Sequence, residues 1–157
     1  MSEVIIKVQC DHYLVKFLEA YFNSSPVRFP RNNNFRNFLE IFLDFPPLDH
    51  RETDYGRNTL TVELPFFEDK DPRSYNFLNP IRQRIFVDHI WMFFKITFRS
   101  EINKYRLTGI GRNDAIALFM DKYNIPDECW ESLLKDYSRY MQNHSKKKYR
   151  KNHKHAI

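Results

Sequence analysis

Glycine is nearly absent from this chain, with three in 157 residues. Gly56, Gly109 and Gly111 leave little material for a catalytic loop that grips phosphate. No G-x-x-x-x-G-K-[ST], nucleophile elbow or H-E-x-x-H run occurs. Cysteine is scarcer still. Cys10 and Cys129 form no C-x-x-C pair, and no secretory apolar run lies near Met1, so both are expected as free thiols in a reducing, cytoplasmic setting. Long apolar runs are missing too. The longest apolar-rich stretch, Ile85 to Phe98, is shorter than a bilayer span and carries Asp88, His89 and Lys95, which argues for a core element and against a membrane contact. The last absence is local: between Asn143 and Ile157 there is no Asp or Glu.

Those fifteen positions hold six cations, Lys146, Lys147, Lys148, Arg150, Lys151 and Lys154. The whole chain has 25 Lys and Arg against 20 Asp and Glu, so without the terminal six, 19 basic residues face 20 acidic ones. The formal charge of +5 is therefore a local property. A concentrated basic segment on a near-neutral body is the electrostatic pattern of a phosphate-binding arm. Tyr149 within it offers a ring on which an unpaired base can stack. The alternative for the segment is a solubilising terminus, and an import-type basic run has the same chemistry.

Fifteen Phe, nine Tyr and two Trp, with 42% hydrophobic residues, supply a core and exclude global disorder. At this length one domain is expected, spanning 1–142, followed by a flexible, disordered basic tail over 143–157. Glu3 to Gln9 reads as a strand. Asp11 stands as an N-cap before a helical stripe of Leu14, Phe17, Leu18, Tyr21 and Phe22. Val27-Arg28-Phe29, between prolines, is a short extended piece. Phe35, Phe38, Leu39 and Phe42 make a second stripe that Pro46-Pro47 ends, and Thr59 to Leu64 alternates as a half-buried strand. Asn79-Pro80 opens a long, largely buried helix over Ile81 to Thr108, although Phe94, Ile96 and Phe98 also alternate as a strand does. Two more helices, Arg112 to Tyr123 and Asp127 to Met141, form a C-terminal hairpin. The expected class is α+β: mostly helical, with a small two- or three-stranded sheet.

Charge is uneven in the body as well. Arg73 to Arg112 holds eight basic residues against Asp88 and Glu101, whereas Arg36 to Asp71 is acidic. Within the basic stretch, Gly109-Ile110-Gly111 precedes Arg112 and a run of Ala115, Ile116 and Leu118. The two glycines permit positive φ and close backbone approach, and the N-terminus of the following helix aims unpaired N–H groups outward. Leu107 to Leu118 resembles the hairpin of the helix-hairpin-helix DNA-binding motif. That resemblance implies a backbone grip by Gly109 to Arg112 on a phosphate of one strand, without base reading. Lys135 and Arg139 lie on the route into the basic segment and are expected to join its contacts. A helix-turn-helix reading of the C-terminal pair places Asp127, Glu128 and Glu131 at the groove-facing end of the second helix, where phosphates repel them.

Three Asp-His dipeptides, at Asp11, Asp49 and Asp88, suggest acid-base chemistry, yet adjacent helical side chains diverge by about 100°. They are expected to be structural or exposed. His153 and His155 lack the further ligands of a stable metal site, so neither metal nor cofactor is expected. The Tyr13-Leu14 helix, the Val27 to Pro30 segment and the Arg112 to Tyr140 hairpin entering a basic end are similar to small uncharacterised proteins of bacterial phages and mobile elements. The resulting expectation is a noncatalytic nucleic-acid-binding accessory protein, DNA ahead of RNA, using Gly109, Gly111, Arg112, Lys135, Arg139 and the basic segment. The alternative is a protein-interaction or assembly module, with its aromatic excess in a homo-oligomer or partner interface. A third reading, a divergent Mg²⁺ nuclease, needs carboxylates gathered in space.

Overall fold

The computed structural model describes residues 3–154, with side chains through residue 151. Its elements run β1 (Ile5–Gln9), α1 (His12–Phe22), α2 (Asn34–Phe42), β2 (Thr59–Glu63), α3 (Pro80–Leu107), α4 (Arg112–Lys122) and α5 (Trp130–Lys154). Short 3₁₀ turns at Gly56–Asn58 and Asp127–Cys129 lead into β2 and α5. The class is α+β, and the sheet has two strands. Residues up to Ile96 and residues from Thr97 onward form two compact units. The division falls inside the continuous helix α3, where no shift of composition marks it.

In the first unit, β1 and β2 pair antiparallel with Ile6 opposite Val62 and Val8 opposite Leu60, all four buried. The period of two turns these side chains to one face. Val27 joins the outer edge of β2, donating its N–H to the Thr61 carbonyl at 2.9 Å and accepting from the Glu63 N–H at 3.0 Å. The extended Val27 to Phe29 piece is thus held by the sheet. Asn33 caps α2, its side chain accepting the Phe35 N–H at 2.8 Å. Phenylalanine does much of the packing: Phe86 meets Phe35 and Phe38 at 5.9 and 5.4 Å between ring centres, and Phe17 meets Phe94 edge-on at 5.0 Å.

α3 departs from the sequence expectation. It is helical throughout, including the alternating Phe94 to Phe98, but it is not largely buried. Phe86, Ile90, Phe94, Phe98 and Ile102 are its buried positions. They recur every four residues, so the stripe drifts by about 40° per step around the helix. Ile81, Ile85, Trp91, Met92 and Ile96 are exposed. The apolar count misled because apolar residues occupy both faces.

In the second unit, Phe98 packs on Phe119 at 5.1 Å and on Tyr137 at 6.2 Å. Ile116 and Leu133 are buried with them, as are Tyr123 and Ile125 at the α4–α5 turn, where Asn124 takes a left-handed φ of 52°. Asp136 is half-buried and accepts three hydrogen bonds from the Arg99 guanidinium at 3.1, 3.2 and 3.3 Å. Among the described residues, no helix is long and apolar enough to cross a membrane.

Candidate nucleic-acid interface

The Gly109 turn is a helix stop. α3 ends at Leu107, Gly109 has φ 88°, its N–H bonds the Arg106 carbonyl at 3.0 Å, and the Ile110 N–H reaches back to Tyr105 at 3.2 Å. These are the paired bonds of a Schellman cap, and a left-handed residue is what they require. Gly109 is thereby explained within the chain. Gly111 is different. It is the N-cap of α4 with φ −65° and ψ 156°, an extended conformation open to any residue, and a Cβ there would meet nothing within 4 Å. Neither backbone nor packing asks for glycine at that position, and Ser or Asp would cap the helix better. The first bond into the ladder is Ala115 N–H to Gly111 C=O at 2.9 Å, which leaves the amides of Arg112, Asn113 and Asp114 outside it. Without a capping side chain, that helix end lies bare.

An open groove of about 620 Å³ runs from this end to α5, lined by Arg106, Gly111, Arg112, Asp114, Ser138 and Gln142 among others. Arg112 reaches Ser138 Oγ at 3.3 Å across it. Arg106 lies over the Tyr137 ring, 6.0 Å from its centre, and donates to the Tyr137 hydroxyl at 3.4 Å; that hydroxyl in turn donates to Asn103 Oδ1 at 2.7 Å. Two guanidiniums and a helix N-terminus thus converge there, opposed by the one carboxylate of Asp114. The field favours an anion.

α5 adds what the sequence reading did not see. Instead of ending near Met141, the helix continues through the basic segment to Lys154, so the cations acquire a helical phase. At about 100° per residue, Lys135, Arg139, Lys146 and Arg150 fall within about 60° of one another. All four are exposed, on the side opposite buried Leu133 and Tyr137. Lys135 also sits 3.9 Å from Glu131, both highly exposed, an ion pair worth little in water. Ser138 and Gln142, which line the groove, flank the stripe. Lys147 lies on the stripe's opposite shoulder and Tyr149, 66% exposed, on the groove side. Lys148 and Lys151 turn away, so the structure aligns some of the predicted cations and separates others. Lys154 ends α5; its side chain, like that of His153, and all of His155 lie outside the described residues.

The remaining candidates have structural partners. His12 Nδ1 is 2.9 Å from the Arg57 carbonyl, His50 stacks edge-on with Phe77 at 4.8 Å, and His89 does so with Phe38 at 5.6 Å. Among the described residues no three His, Cys, Asp or Glu gather as metal ligands. Tyr123, which bonds Glu101, has its phenol pushed up to about 12, by burial first and then by that carboxylate. Burial, then Asp11, pushes the Cys10 thiol up to about 12. Neither group faces the groove. No family model, curated protein or solved structure matches the chain.

Proposed function

We propose that this chain is a noncatalytic nucleic-acid-binding accessory protein, DNA ahead of RNA, that docks electrostatically along the exposed basic face of α5. The observation that carries this reading is the alignment of Lys135, Arg139, Lys146 and Arg150 on one face of a helix beside the Arg112 groove. A line of cations spaced about 6, 10.5 and 6 Å along the helix axis can neutralise successive phosphates of a nucleic-acid backbone. The bare N-terminus of α4 with Arg112 supplies a further phosphate seat, in keeping with the helix-hairpin-helix resemblance. Docking of this kind reads charge and shape and carries little sequence information. The acidic first turn of α5, with Asp127, Glu128 and Glu131, disfavours insertion of that end into a groove.

The test is binding of the full chain to labelled duplex and single-stranded DNA and RNA over a salt series. Four stripe cations and Arg112 predict a slope of about −4 to −5 in log K against log salt on duplex, with near-equal affinity for unrelated sequences. A flat salt dependence, or no binding to any of the polymers, overturns the reading. The interaction-module alternative, which draws on the exposed apolar side chains of α3, would then lead.

A further inference from the structure

The outward face of α3 carries a feature that nucleic-acid docking does not use. Ile81, Ile85, Met92 and Ile96 keep 66%, 41%, 54% and 66% of their surface in water. At about 100° per residue they lie within about 60° of one another, and His89, also exposed, sits at the edge of the same strip. Ile85, His89, Met92 and Ile96 are spaced four, three and four apart, the spacing by which one helix seats side chains in the gaps of another. All lie in the first unit. Together the four apolar side chains leave roughly 450 Å² in water, a size reached by the largest patch of an ordinary monomer and often functional there. Two such faces together bury roughly 900 Å², the size of a weak, concentration-dependent interface.

We infer that α3 is a homodimer seam, in which the Ile85–Ile96 stretch of one copy packs antiparallel on the same stretch of a second copy. The flanking charges select the second copy and the direction. Asp88 and Lys95 border the strip on the same side, seven residues apart, and a two-fold axis across antiparallel helices brings like flanks together. In that arrangement Asp88 of each copy faces Lys95 of the other, giving two opposite-charge pairs, and Ile85 packs by Ile96. A parallel pairing instead sets this flank against the opposite flank of the partner and forms no such pairs. Lys95, whose Nζ lies 3.8 Å over the Trp91 ring, is already held at the border of the strip. A dimer carries two basic helices, and two linked binding faces on one polymer raise the overall affinity without any new kind of contact.

The experiment is sedimentation equilibrium on the full chain, freed of nucleic acid at high salt and then measured at moderate salt. The expected result is a concentration-dependent monomer–dimer equilibrium. Met92→Glu, at an exposed position, abolishes it with the circular dichroism spectrum unchanged. Asp88→Lys and Lys95→Asp each weaken it about tenfold by setting two like-charge pairs face to face. Mixed one to one, these two variants form a heterodimer in which both pairs are again opposite, so association returns to near the wild-type level. A wild-type chain that stays monomeric at about 100 μM, a dimer indifferent to Met92→Glu, or a mixture that does not reassociate would each refute the seam. Salt-steep nucleic-acid binding by monomeric Met92→Glu, weakened but present, keeps the two proposals separable.

Discussion

If α5 binds as a helix, the position of a cation around the axis matters as much as its charge. Two double variants of equal charge test this. Lys146→Gln with Arg150→Gln removes half of the aligned stripe. Lys148→Gln with Lys151→Gln removes two cations about 190° and 130° around the helix from the stripe's centre. Glutamine has a helix propensity close to that of Lys and Arg, so neither pair disturbs the helix by that route. Each phosphate contact contributes about 0.9 to the salt slope on duplex DNA. Counterion release therefore makes each contact worth about eightfold at 0.1 M salt relative to 1 M. Losing Lys146 and Arg150 is thus expected to weaken binding about 60-fold and to flatten the slope by about 1.8. Losing Lys148 and Lys151 is expected to cost less than about threefold, through long-range field alone.

The assay is fluorescence anisotropy with labelled duplex at several salt concentrations, all on the full chain. A flexible tail would sample every orientation, and its cations would be interchangeable. Equal losses for the two pairs would therefore refute helical docking while leaving electrostatic binding intact. A larger loss for the Lys148 and Lys151 pair would place the contact on the other side of α5 and detach it from the Arg112 groove.

The two glycines of the α3–α4 turn separate structure from binding. Gly109→Ala forces a side chain into φ 88° and is expected to lower stability by about 1 kcal/mol, read as a lower melting midpoint, with binding of the folded fraction little changed. Gly111→Ala adds a Cβ into open space at an ordinary φ, so stability is expected to hold within about 0.5 kcal/mol. Affinity should fall severalfold if a phosphate rests on that helix end, and unchanged affinity would remove this seat from the interface. High pH provides an independent check on burial. Cys10 and Tyr123 are both raised to about 12, so the unfolded chain gives up these protons first. Their stabilisation is full below the unfolded values, near 9 and 10, and is lost as pH climbs toward 12. Cys10→Ala should flatten the decline in melting temperature that begins above pH 9, and Tyr123→Phe the part that begins above pH 10.

Much of the fold was legible because local chemistry and burial agree. Asp11 before α1 and Asn79-Pro80 before α3 stand where helices start, the Phe35-Phe38-Leu39-Phe42 stripe marked α2, and the Leu60-Val62 alternation gave β2 its period. α3 was harder, because a hydrophobic count cannot tell a helix buried all round from one that buries a narrow winding stripe and leaves Ile81, Met92 and Ile96 in water. Its division between two units was equally invisible. The continuous helix carries no glycine, proline or polar linker where Ile96 gives way to Thr97, and the change is one of packing partners alone. The Arg99–Asp136 pair joins residues 37 positions apart, a contact that no local pattern encodes.

The candidate site was legible as a set of charges but not as a surface, for a reason that bears on how it works. Nothing in the segment from Asn143 onward favours helix by burial, and its cations oppose it. Lys146 and Arg150, or Lys147 and Lys151, are like charges four apart, each such pair weakening a free helix by about 0.2 to 0.5 kcal/mol. The sequence therefore reads as a disordered tail, while α5 extends thirteen positions past Met141 as exposed helix, about 20 Å of it. The two descriptions share one energetic origin. An exposed helix of this length is marginal in water, and its principal internal penalty is the repulsion that a row of phosphates would neutralise. Under the proposed docking, binding and helix formation would reinforce each other: the polymer would stabilise the helix by removing its self-repulsion, and the helix would align Lys146 and Arg150 with Lys135 and Arg139 on the turns already fixed by Leu133 and Tyr137. On that proposal the packed first half of α5 would be the template that sets the phase of the second.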